Sequence, residues 1–382
     1  MSYKNLSEFI ECLRREKEIV DITAEVDFQL EISEISDRVV KQGGPALLFH
    51  RVRGSSIPVA INLFGSFRRM ALALGVKDLE AMAGRIESFL ELKVPEKITD
   101  KLKFLPKLHL LNKITPRTVR EAPCQEVVRT EGDLLSELPI IQCWPGDAGR
   151  YITLPMVITK DPKTGIRNVG TYRMQVYDGR TTGMHWQVHK DGTTHHRLFK
   201  EKGIGRMEVA VALGADPATI FSAVCPLPYG IDEFVFAGFL RGEAVELVKC
   251  KTVDLEVPAQ SEIVLEGYVE VTEKRLEGPF GDHTGYYSLA KEFPVFHIEC
   301  VTRRKSPIYP TTIVGRPPME DAYLAKAIER LFLPLIRSQF PDIVDMNLPV
   351  EGVFTNCVLV SIKKSYPQHA KKVMHLLWAS AS

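Results

Sequence analysis

The chain has 382 residues, with 49 Lys and Arg against 48 Asp and Glu and a formal net charge of +1, so its length predicts two or three domains and its balanced charge argues against nucleic-acid binding. The N-terminus lacks the apolar core of a signal peptide, and charged residues interrupt the apolar stretches before they reach membrane-spanning length. The 7 cysteines are scattered without a CxxC pair, which argues against a disulfide framework or a structural zinc site and favours a soluble cytoplasmic protein.

Helical and strand patterns alternate along the first part of the chain. The pattern predicts helices near residues 6–13, 32–41 and 67–74 and strands at 46–50 and 59–63. Asn5 is the expected N-cap of the first helix, and Gly43 follows the second. Such alternation indicates an N-terminal α/β domain. A basic stretch from 93 to 117 is predicted to be a connector, because its prolines interrupt any long helix.

Short runs rich in β-branched residues follow from about residue 122. The predicted strands cover 152–159, 169–177, 181–188, 209–213, 245–249, 263–271 and 295–301. Successive strands at this spacing indicate a mainly antiparallel sheet or barrel. Helical periodicity returns at 321–333 and 368–378, with a strand at 358–363 between them, which indicates the start of a third, α+β unit.

A predicted hairpin brings two candidate metal ligands together. The dipeptide Asp178–Gly179 lies between two predicted strands and is typical of a two-residue type I′ turn. In that register Tyr177 faces Arg180, and Asn168 lies directly opposite His189. Directly opposed Cβ atoms are about 4.5–5.5 Å apart, so an amide oxygen and an imidazole could bind one ion.

A metal site of this kind needs an acidic ligand as well. Glu233 is the candidate, and an Asn/His/Glu set suits Mn²⁺ or Mg²⁺ better than zinc. Asn and His on a strand are also common as surface or hydrogen-bonding residues, so the pattern alone leaves both alternatives open. Arg173 has the opposite strand parity from Asn168 and faces the other side of the sheet unless a bulge intervenes.

Two carboxylates, Glu277 and Asp282, lie five residues apart on a turn rich in Gly and Pro. Carboxylates held close together have separated pKa values, so that one can donate a proton while the other stays ionised. An arginine nearby would orient the ionised member. A plain solvated turn explains the same residues, and the motif alone does not decide between these alternatives.

Seven strings in order closely resemble the UbiD family of decarboxylases, the 3-octaprenyl-4-hydroxybenzoate carboxy-lyase family, over nearly the whole chain. They are Asn168–Arg173, Val211–Ala218, Phe236–Gly242, Val248–Cys250, Asp254–Ala259, Glu277–Tyr286 and Gly315–Pro318. The resemblance implies an α+β multidomain protein. Residues 1–115 would form the N-terminal α/β domain with its connector, and 116–310 an antiparallel split β-barrel that binds prenylated FMN. Residues 311–382 would begin a C-terminal α+β oligomerisation domain, which we expect to be incomplete because family chains continue further.

The resemblance also implies roles for single residues, carried over by position. The implied metal ligands, which clamp the cofactor phosphate, are Asn168, His189 and Glu233. The implied flavin contacts are Thr171, Tyr172, Arg173, His185, Trp186, Gln187, Lys190 and Asp191. The implied catalytic network is Arg173, Glu277 and Asp282, with Asp282 as proton donor.

The activity implied by the resemblance is a non-oxidative, reversible decarboxylation. Its substrate would be an aromatic or α,β-unsaturated carboxylic acid of the 4-hydroxybenzoate or 3-polyprenyl-4-hydroxybenzoate type. The implied cofactors are prenylated FMN and Mn²⁺ or Mg²⁺, with K⁺ as a further ion. A flavin prenyltransferase would supply the cofactor, the chain would form a homo-oligomer, and a polyprenylated substrate would bring peripheral membrane association.

Two alternatives to this activity stay open. A split barrel also serves an FMN reductase-type oxidoreductase, because fold does not settle function. A truncated, non-catalytic subunit that holds flavin is the other alternative. The mass of the bound flavin and the release of CO₂ distinguish the three.

Overall fold

The computed structural model describes residues 2–91 and 112–380. Most of the predicted connector, residues 93–111, lies outside the described residues, and its end at Arg117 begins a strand. No helix in the described ranges is both long enough and apolar enough to cross a membrane.

The helices of the described residues flank or connect the sheets. They are α1 (Leu6–Arg15), α2 (Glu31–Lys41), α3 (Phe67–Ala73), α4 (Leu79–Glu91), α5 (Asp191–Glu201), α6 (Pro217–Ser222), α7 (Glu233–Arg241), α8 (Glu320–Gln339) and α9 (His369–Ser380). The first helix begins as predicted, because the Asn5 side chain accepts a hydrogen bond from the Glu8 N–H at 3.0 Å. Its buried face, with Leu6, Phe9 and Leu13, packs into the N-terminal core.

Strands make up most of the middle of the chain. The strands are β1 (Ile19–Val26), β2 (Ala46–Val52), β3 (Val59–Ile61), β4 (Arg117–Val119), β5 (Val127–Arg129), β6 (Tyr151–Ile152), β7 (Pro155–Lys160), β8 (Arg167–Gly170), β9 (Met174–Gln175), β10 (Thr181–Gly183), β11 (Arg206–Leu213), β12 (Glu246–Lys249), β13 (Glu256–Pro258), β14 (Ile263–Glu277), β15 (Phe280–Gly281), β16 (Tyr287–Ser288), β17 (Lys291–Arg303), β18 (Tyr309–Thr311), β19 (Ile343–Asn347) and β20 (Leu359–Ile362).

The N-terminal sheet is four-stranded and mixed, in the order β1-β2-β3-β18. β1 is parallel to β2 and β3 is parallel to β18, whereas β2 and β3 are antiparallel. β18 follows the central sheet in sequence, so the chain returns to the N-terminal sheet before α8 begins. Helices and strands alternate in this region, as the sequence predicts.

The central sheet is seven-stranded. Its strands run in the order β10-β17-β14-β11-β7-β8, with β5 also paired to β17. Every pairing in it is antiparallel, which confirms the antiparallel prediction. The split barrel stays a prediction, since the pairings of the described residues give a strand order without showing closure. β14 ends at Glu277, which lies opposite Lys291, the first residue of β17. The loop that joins these two long strands extends beyond the sheet.

The last part of the described chain forms a small α+β layer. β19 and β20 pair antiparallel, and α8 and α9 pack against them through Leu333, Ile343 and Val373. The two helices predicted for this region and the strand between them are all present, and α8 extends beyond the predicted end to Gln339.

β14 and β17 pack so closely at Gly267 that a side chain there would clash with the neighbouring backbone. A Cβ added to Gly267 would lie 1.8 Å from the backbone oxygen of His297. We expect Gly267→Ala to lower the free energy of unfolding by about 1–3 kcal/mol, because the backbone cannot yield as a side chain can. Gly84→Ala is the control: its added Cβ meets no described atom within 4 Å, and Ala in the exposed helix α4 should stabilise by about 0.5–1 kcal/mol. Equal urea midpoints for the two variants would contradict this packing.

Candidate functional site

Arg173 binds two carboxylates that lie more than 100 residues further along the chain. Its Nε and Nη2 donate to the two oxygens of Glu277 at 2.9 and 3.1 Å, and its Nη1 donates to Oδ2 of Asp282 at 2.9 Å. The predicted contact of Arg173 with these acids is therefore confirmed. The expected bulge before Arg173 takes another form, because the strand stops at Gly170 and β9 begins only at Met174.

Glu277 is fully buried beneath the arginine. Its side chain is 0% exposed, and its Oε2 also lies 2.9 Å from Nδ1 of His185. Burial raises the pKa of Glu277, but the hydrogen bonds from His185 and Arg173 outweigh it, so that the net pKa lies below its ordinary value. Glu277 is thus the ionised member of the pair and anchors the guanidinium.

Two further contacts fix the plane of the guanidinium. Nη2 of Arg173 donates to the Ser288 hydroxyl at 3.1 Å, and the Phe280 ring centroid lies 4.4 Å from the guanidinium carbon. The sequence analysis misses this contact of Ser288, since a lone serine on a short strand gives no local signal. Phe280 lies within the quoted acidic motif without any role predicted for it.

Asp282 sits on a tight loop at the end of the β14–β17 hairpin. Its N–H donates to the Tyr286 carbonyl at 3.0 Å, and Asp147 accepts the preceding Gly281 N–H at 2.7 Å. The side chain of Asp282 is 28% exposed, compared with 0% for Glu277. The two acids therefore differ in environment: one is a buried anchor, and the other reaches the open side of the site.

A second polar group lies around the start of α7. Glu233 is the first residue of that helix, and its Oε2 accepts the Val169 N–H at 2.8 Å, which places it beside Asn168. Both side chains are buried, and Nδ2 of Asn168 makes no well-formed hydrogen bond to a described residue, although the amide is close enough to Tyr172 to oppose the rise that burial causes in the pKa of that phenol. Glu233 likewise has no ion-pair partner among them.

These donors fit a hard cation. Burial raises the pKa of Glu233 to about 8, and the neighbouring Asp232 and Asp191 add to the increase. A divalent cation would supply the missing positive charge, and an amide and a carboxylate offer it the oxygen ligands that Mn²⁺ and Mg²⁺ prefer. A half-turn of the Asn168 amide exchanges its oxygen and nitrogen, so the side chain can offer a cation its oxygen.

The predicted hairpin register is wrong. Asp178 closes a three-residue loop: its Oδ1 accepts the N–H groups of Arg180 and Thr181 at 2.8 Å each, and Val176 pairs with Thr182. The predicted turn has Tyr177 opposite Arg180, so the observed register differs by one residue. An aspartate that caps the turn with its own side chain removes the need for positive φ at Gly179.

His189 is consequently not a cross-strand partner of Asn168. Asn168 pairs with Thr159 of β7 instead, and the predicted strand 181–188 ends at Gly183. His189 lies in an exposed turn, where its side chain makes no hydrogen bond or ion pair with other described residues. The structure thus brings Asn168 and Glu233 together and does not pair His189 with Asn168, while the ligand role of His189 stays a prediction.

The predicted flavin contacts flank this group. Tyr172 is buried and meets Trp186 edge-on, with ring centroids 6.4 Å apart, and the Trp186 Nε1 has no partner among the described residues. The Thr171 N–H donates to a backbone carbonyl, that of Ala223, at 3.0 Å. At the start of α5, Gln187 and Lys190 are exposed, and burial raises the pKa of Asp191.

Three family models match successive parts of the chain. The N-terminal, Rift-related and C-terminal domain models of 3-octaprenyl-4-hydroxybenzoate carboxy-lyase match residues 10–88, 117–317 and 322–382. The chain belongs to the UbiD family of carboxy-lyases. The Rift-related match of this UbiD chain contains all strands of the seven-stranded sheet, together with Arg173, Glu277 and Asp282.

Relatives of this UbiD chain support the same assignment. An uncharacterized protein of Archaeoglobus fulgidus is 55% identical over 380 residues, which cover 100% of this chain and 78% of the relative. The UbiD-class enzyme HmfF from Pelotomaculum thermopropionicum, in an evolved dimeric form with prFMN, is 31% identical with a TM-score of 0.85, over 99% of this chain and 83% of that one. Vanillic acid decarboxylase of Sedimentibacter hydroxybenzoicus, in closed form, is 28% identical with a TM-score of 0.87, over 99% and 78%.

Arg173 of the UbiD chain should not tolerate replacement by lysine. Arg173→Lys keeps the charge but cannot make two parallel bonds to Glu277 and a third to Asp282. We expect the free energy of unfolding to fall by about 1.5–3 kcal/mol, measured by urea denaturation. Arg206→Lys is the matched control, because Arg206 pairs with Glu270 at 2.6 Å on the surface and should change stability by less than about 0.5 kcal/mol. Similar losses in both variants would contradict a special role for the buried pair.

Proposed function

We propose that this chain catalyses the non-oxidative, reversible decarboxylation of an aromatic or α,β-unsaturated carboxylic acid with prenylated FMN and a divalent metal. The observation that carries the proposal is the bidentate binding of Arg173 to the buried Glu277, with Asp282 on the same guanidinium. An anchored cation beside a partly exposed carboxyl group can hold a substrate carboxylate and deliver a proton.

Arg173 orients the carboxylate of the substrate. A guanidinium has five N–H donors, and Glu277, Asp282 and Ser288 occupy four of them, so that one N–H on Nη1 remains for an incoming carboxylate. A carboxylate bound there would lie beside Asp282, the more exposed of the two acids. Asp282 is therefore the acid placed to exchange a proton with the substrate.

Proton delivery by Asp282 completes the reaction. The bond between the carboxyl carbon and the substrate breaks, CO₂ leaves, and Asp282 gives its proton to the carbon that lost CO₂. Glu277 does not exchange protons in this scheme, because the hydrogen bonds from His185 and Arg173 keep it ionised despite its burial, as the anchor of Arg173. In the reverse direction Asp282 takes the proton back as a general base.

The cofactors would be held by the second polar group. Asn168 and Glu233 would bind Mn²⁺ or Mg²⁺, with His189 as the third proposed ligand, and the proposed flavin contacts are Thr171, Tyr172, Arg173, His185, Trp186, Gln187, Lys190 and Asp191. When bound, prenylated FMN supplies the electron sink that loss of CO₂ from an unsaturated carbon needs. The metal supplies positive charge that lets a phosphate dianion lie beside carboxylates.

The substrate class rests on chemistry and on similarity. HmfF in complex with prFMN and a vanillic acid decarboxylase are among the similar structures, which supports prenylated FMN and an aromatic acid. Asp282 matches the hydroxybenzoate-type members of the family, which favours 4-hydroxybenzoate or a 3-polyprenyl derivative. A split β-barrel for the central sheet, a homo-oligomer and a flavin prenyltransferase as cofactor supplier belong to the same proposal.

Cofactor mass and CO₂ release test the proposal together. The protein is made alongside a flavin prenyltransferase, the flavin is extracted and weighed by mass spectrometry, and the holoenzyme is assayed with 4-hydroxybenzoate, vanillate and other conjugated acids. The expected result is the prenylated mass with CO₂ release, and exchange of labelled bicarbonate into the substrate. Plain FMN with NAD(P)H oxidation would instead support a reductase, and flavin without CO₂ release would support a binding subunit.

A further inference from the structure

The residue after the proposed proton donor connects the catalytic loop to helix α8. His283 places its Nδ1 2.7 Å from Oδ2 of Asp321, the second residue of α8. Its backbone N–H donates to Oδ1 of Asp282 at 2.8 Å, and its Nε2 lies 3.6 Å from the same oxygen. The imidazole therefore lies between two carboxylates, one on the loop and one on the helix.

Charged and aromatic neighbours restrain the His283 imidazole. Phe354, itself buried, meets the His283 ring edge-on with centroids 5.3 Å apart. Arg173 is close enough to oppose the rise in the pKa of His283, and Arg316 packs against Gly285 on the same loop. Burial lowers the pKa of His283, but Asp321 and then Asp282 outweigh it, so that the net pKa lies above its ordinary value. The ring contacts Asp321 through Nδ1 and turns Nε2 towards Asp282.

Both oxygens of Asp282 are thereby accounted for. Oδ2 is held by Arg173, and Oδ1 faces the backbone and the ring of His283. The backbone bond to Oδ1 would be made by any residue at this position, so the contribution of the His283 side chain is the approach of its Nε2 to Oδ1 at 3.6 Å, with Asp321 holding the ring from the other side at 2.7 Å. His283 thus lies between Asp282 on the loop and Asp321 at the start of α8.

We propose that His283 and Asp321 form a positioning pair that holds the Asp282 carboxyl against Arg173. This inference rests on the proposed function. Proton delivery by Asp282 then depends on the docking of α8 against the loop. The pair touches neither Glu277 nor the metal ligands Asn168 and Glu233. Its loss should therefore affect the proton-transfer step and leave cofactor binding intact.

Kinetics of three variants of the holoenzyme test the pair. His283→Ala is expected to lower kcat by about 10-fold to 10²-fold, because a misplaced donor reacts slowly, with KM and flavin content within about twofold of wild type. Asp321→Asn should lower kcat by a smaller factor. His283→Asn keeps a donor towards Asp321 and should recover most of the lost kcat. His297→Ala is the control: it removes a similar histidine–carboxylate pair, 2.5 Å from Glu273 on the central sheet, and should leave kcat unchanged.

Two results would overturn the proposal. One is a kcat of His283→Ala equal to that of His297→Ala, and the other is a loss in which KM, flavin content and kcat change together without rescue by Asn. A crystal structure of His283→Ala gives a test that does not depend on turnover. The Arg173–Asp282 contact, 2.9 Å in the wild type, should lengthen beyond hydrogen-bonding range, and an unchanged contact would refute the pair even if the wild type proved inactive. Wild-type inactivity with a lengthened contact would refute only the proposed decarboxylation.

Discussion

Asp282→Asn is expected to lower turnover by about 10²–10⁴-fold while flavin and metal contents stay near wild type. Asparagine keeps the size of the side chain and can still bond to the Nη1 of Arg173, but it has no carboxylic proton to deliver. The 28% exposure of Asp282 and its loop position keep it apart from the buried Asn168 and Glu233, so the two functions should separate. Single-turnover release of CO₂, normalised to bound flavin, measures the effect.

A matched control tests whether the effect of Asp282→Asn is specific to that position. Asp345→Asn also removes a carboxylate bound to an arginine, Arg330, at 2.9 Å, but in the C-terminal layer away from the central sheet. It should turn over like the wild type. Normal turnover in Asp282→Asn, or flavin loss as complete as in a metal-ligand variant, would assign the proton donor elsewhere.

The arrangement of helices and strands could be predicted from local patterns. Asn5 caps α1, the alternating runs form the antiparallel sheet, and the helices at both ends occur where periodicity places them, because each signal acts over a few residues. Strand boundaries were less predictable. The run from 181 to 188 is rich in strand-forming residues, yet only Thr181–Gly183 pairs, since tertiary contacts decide where pairing stops.

In the hairpin around Asp178, one side chain changes the turn type that the local sequence predicts. Asp-Gly favours a two-residue turn, but Asp178 caps the backbone of Thr181 and lengthens the loop to three residues. The register shifts by one residue, and Asn168 pairs with Thr159 of β7 rather than across this turn, so the geometric argument for Asn168 and His189 fails. The match to family motifs is a separate line of inference, and the ligand role of His189 remains a proposal on that basis.

The site itself depends on contacts that local sequence cannot reveal. Arg173 and Ser288 are separated by 115 residues and His185 and Glu277 by 92, so no window or periodicity connects them. Only the family resemblance linked Arg173 with Glu277 and Asp282 in advance. The alternation of side chains along a regular strand predicts that Arg173 faces away from Asn168. That prediction fails because the strand stops at Gly170.

Glu233→Gln is expected to separate metal binding from stability, with effects of opposite sign. Glutamine preserves the acceptor for the Val169 N–H, which lies at 2.8 Å, but it offers a metal no negative charge. Metal affinity should fall by about 10–100-fold or more, and flavin retention with it, because the phosphate loses its compensating cation. Metal content by mass spectrometry and flavin absorbance after gel filtration measure both losses, with Glu246→Gln on the exposed side of β12 as the control.

The apoprotein should respond in the other direction. Because burial raises the pKa of Glu233 to about 8, the metal-free fold favours the protonated carboxyl, so stability is full below the ordinary pKa and declines as pH rises through 8. Glu233→Gln removes that decline, and the metal-free variant should melt at or above the wild-type temperature at pH 9. Added Mn²⁺ should then raise the melting temperature of the wild type and not of the variant. A variant that keeps wild-type metal and flavin, or an apoprotein destabilised by the glutamine, would show that Glu233 is a structural acid and that the cation binds elsewhere.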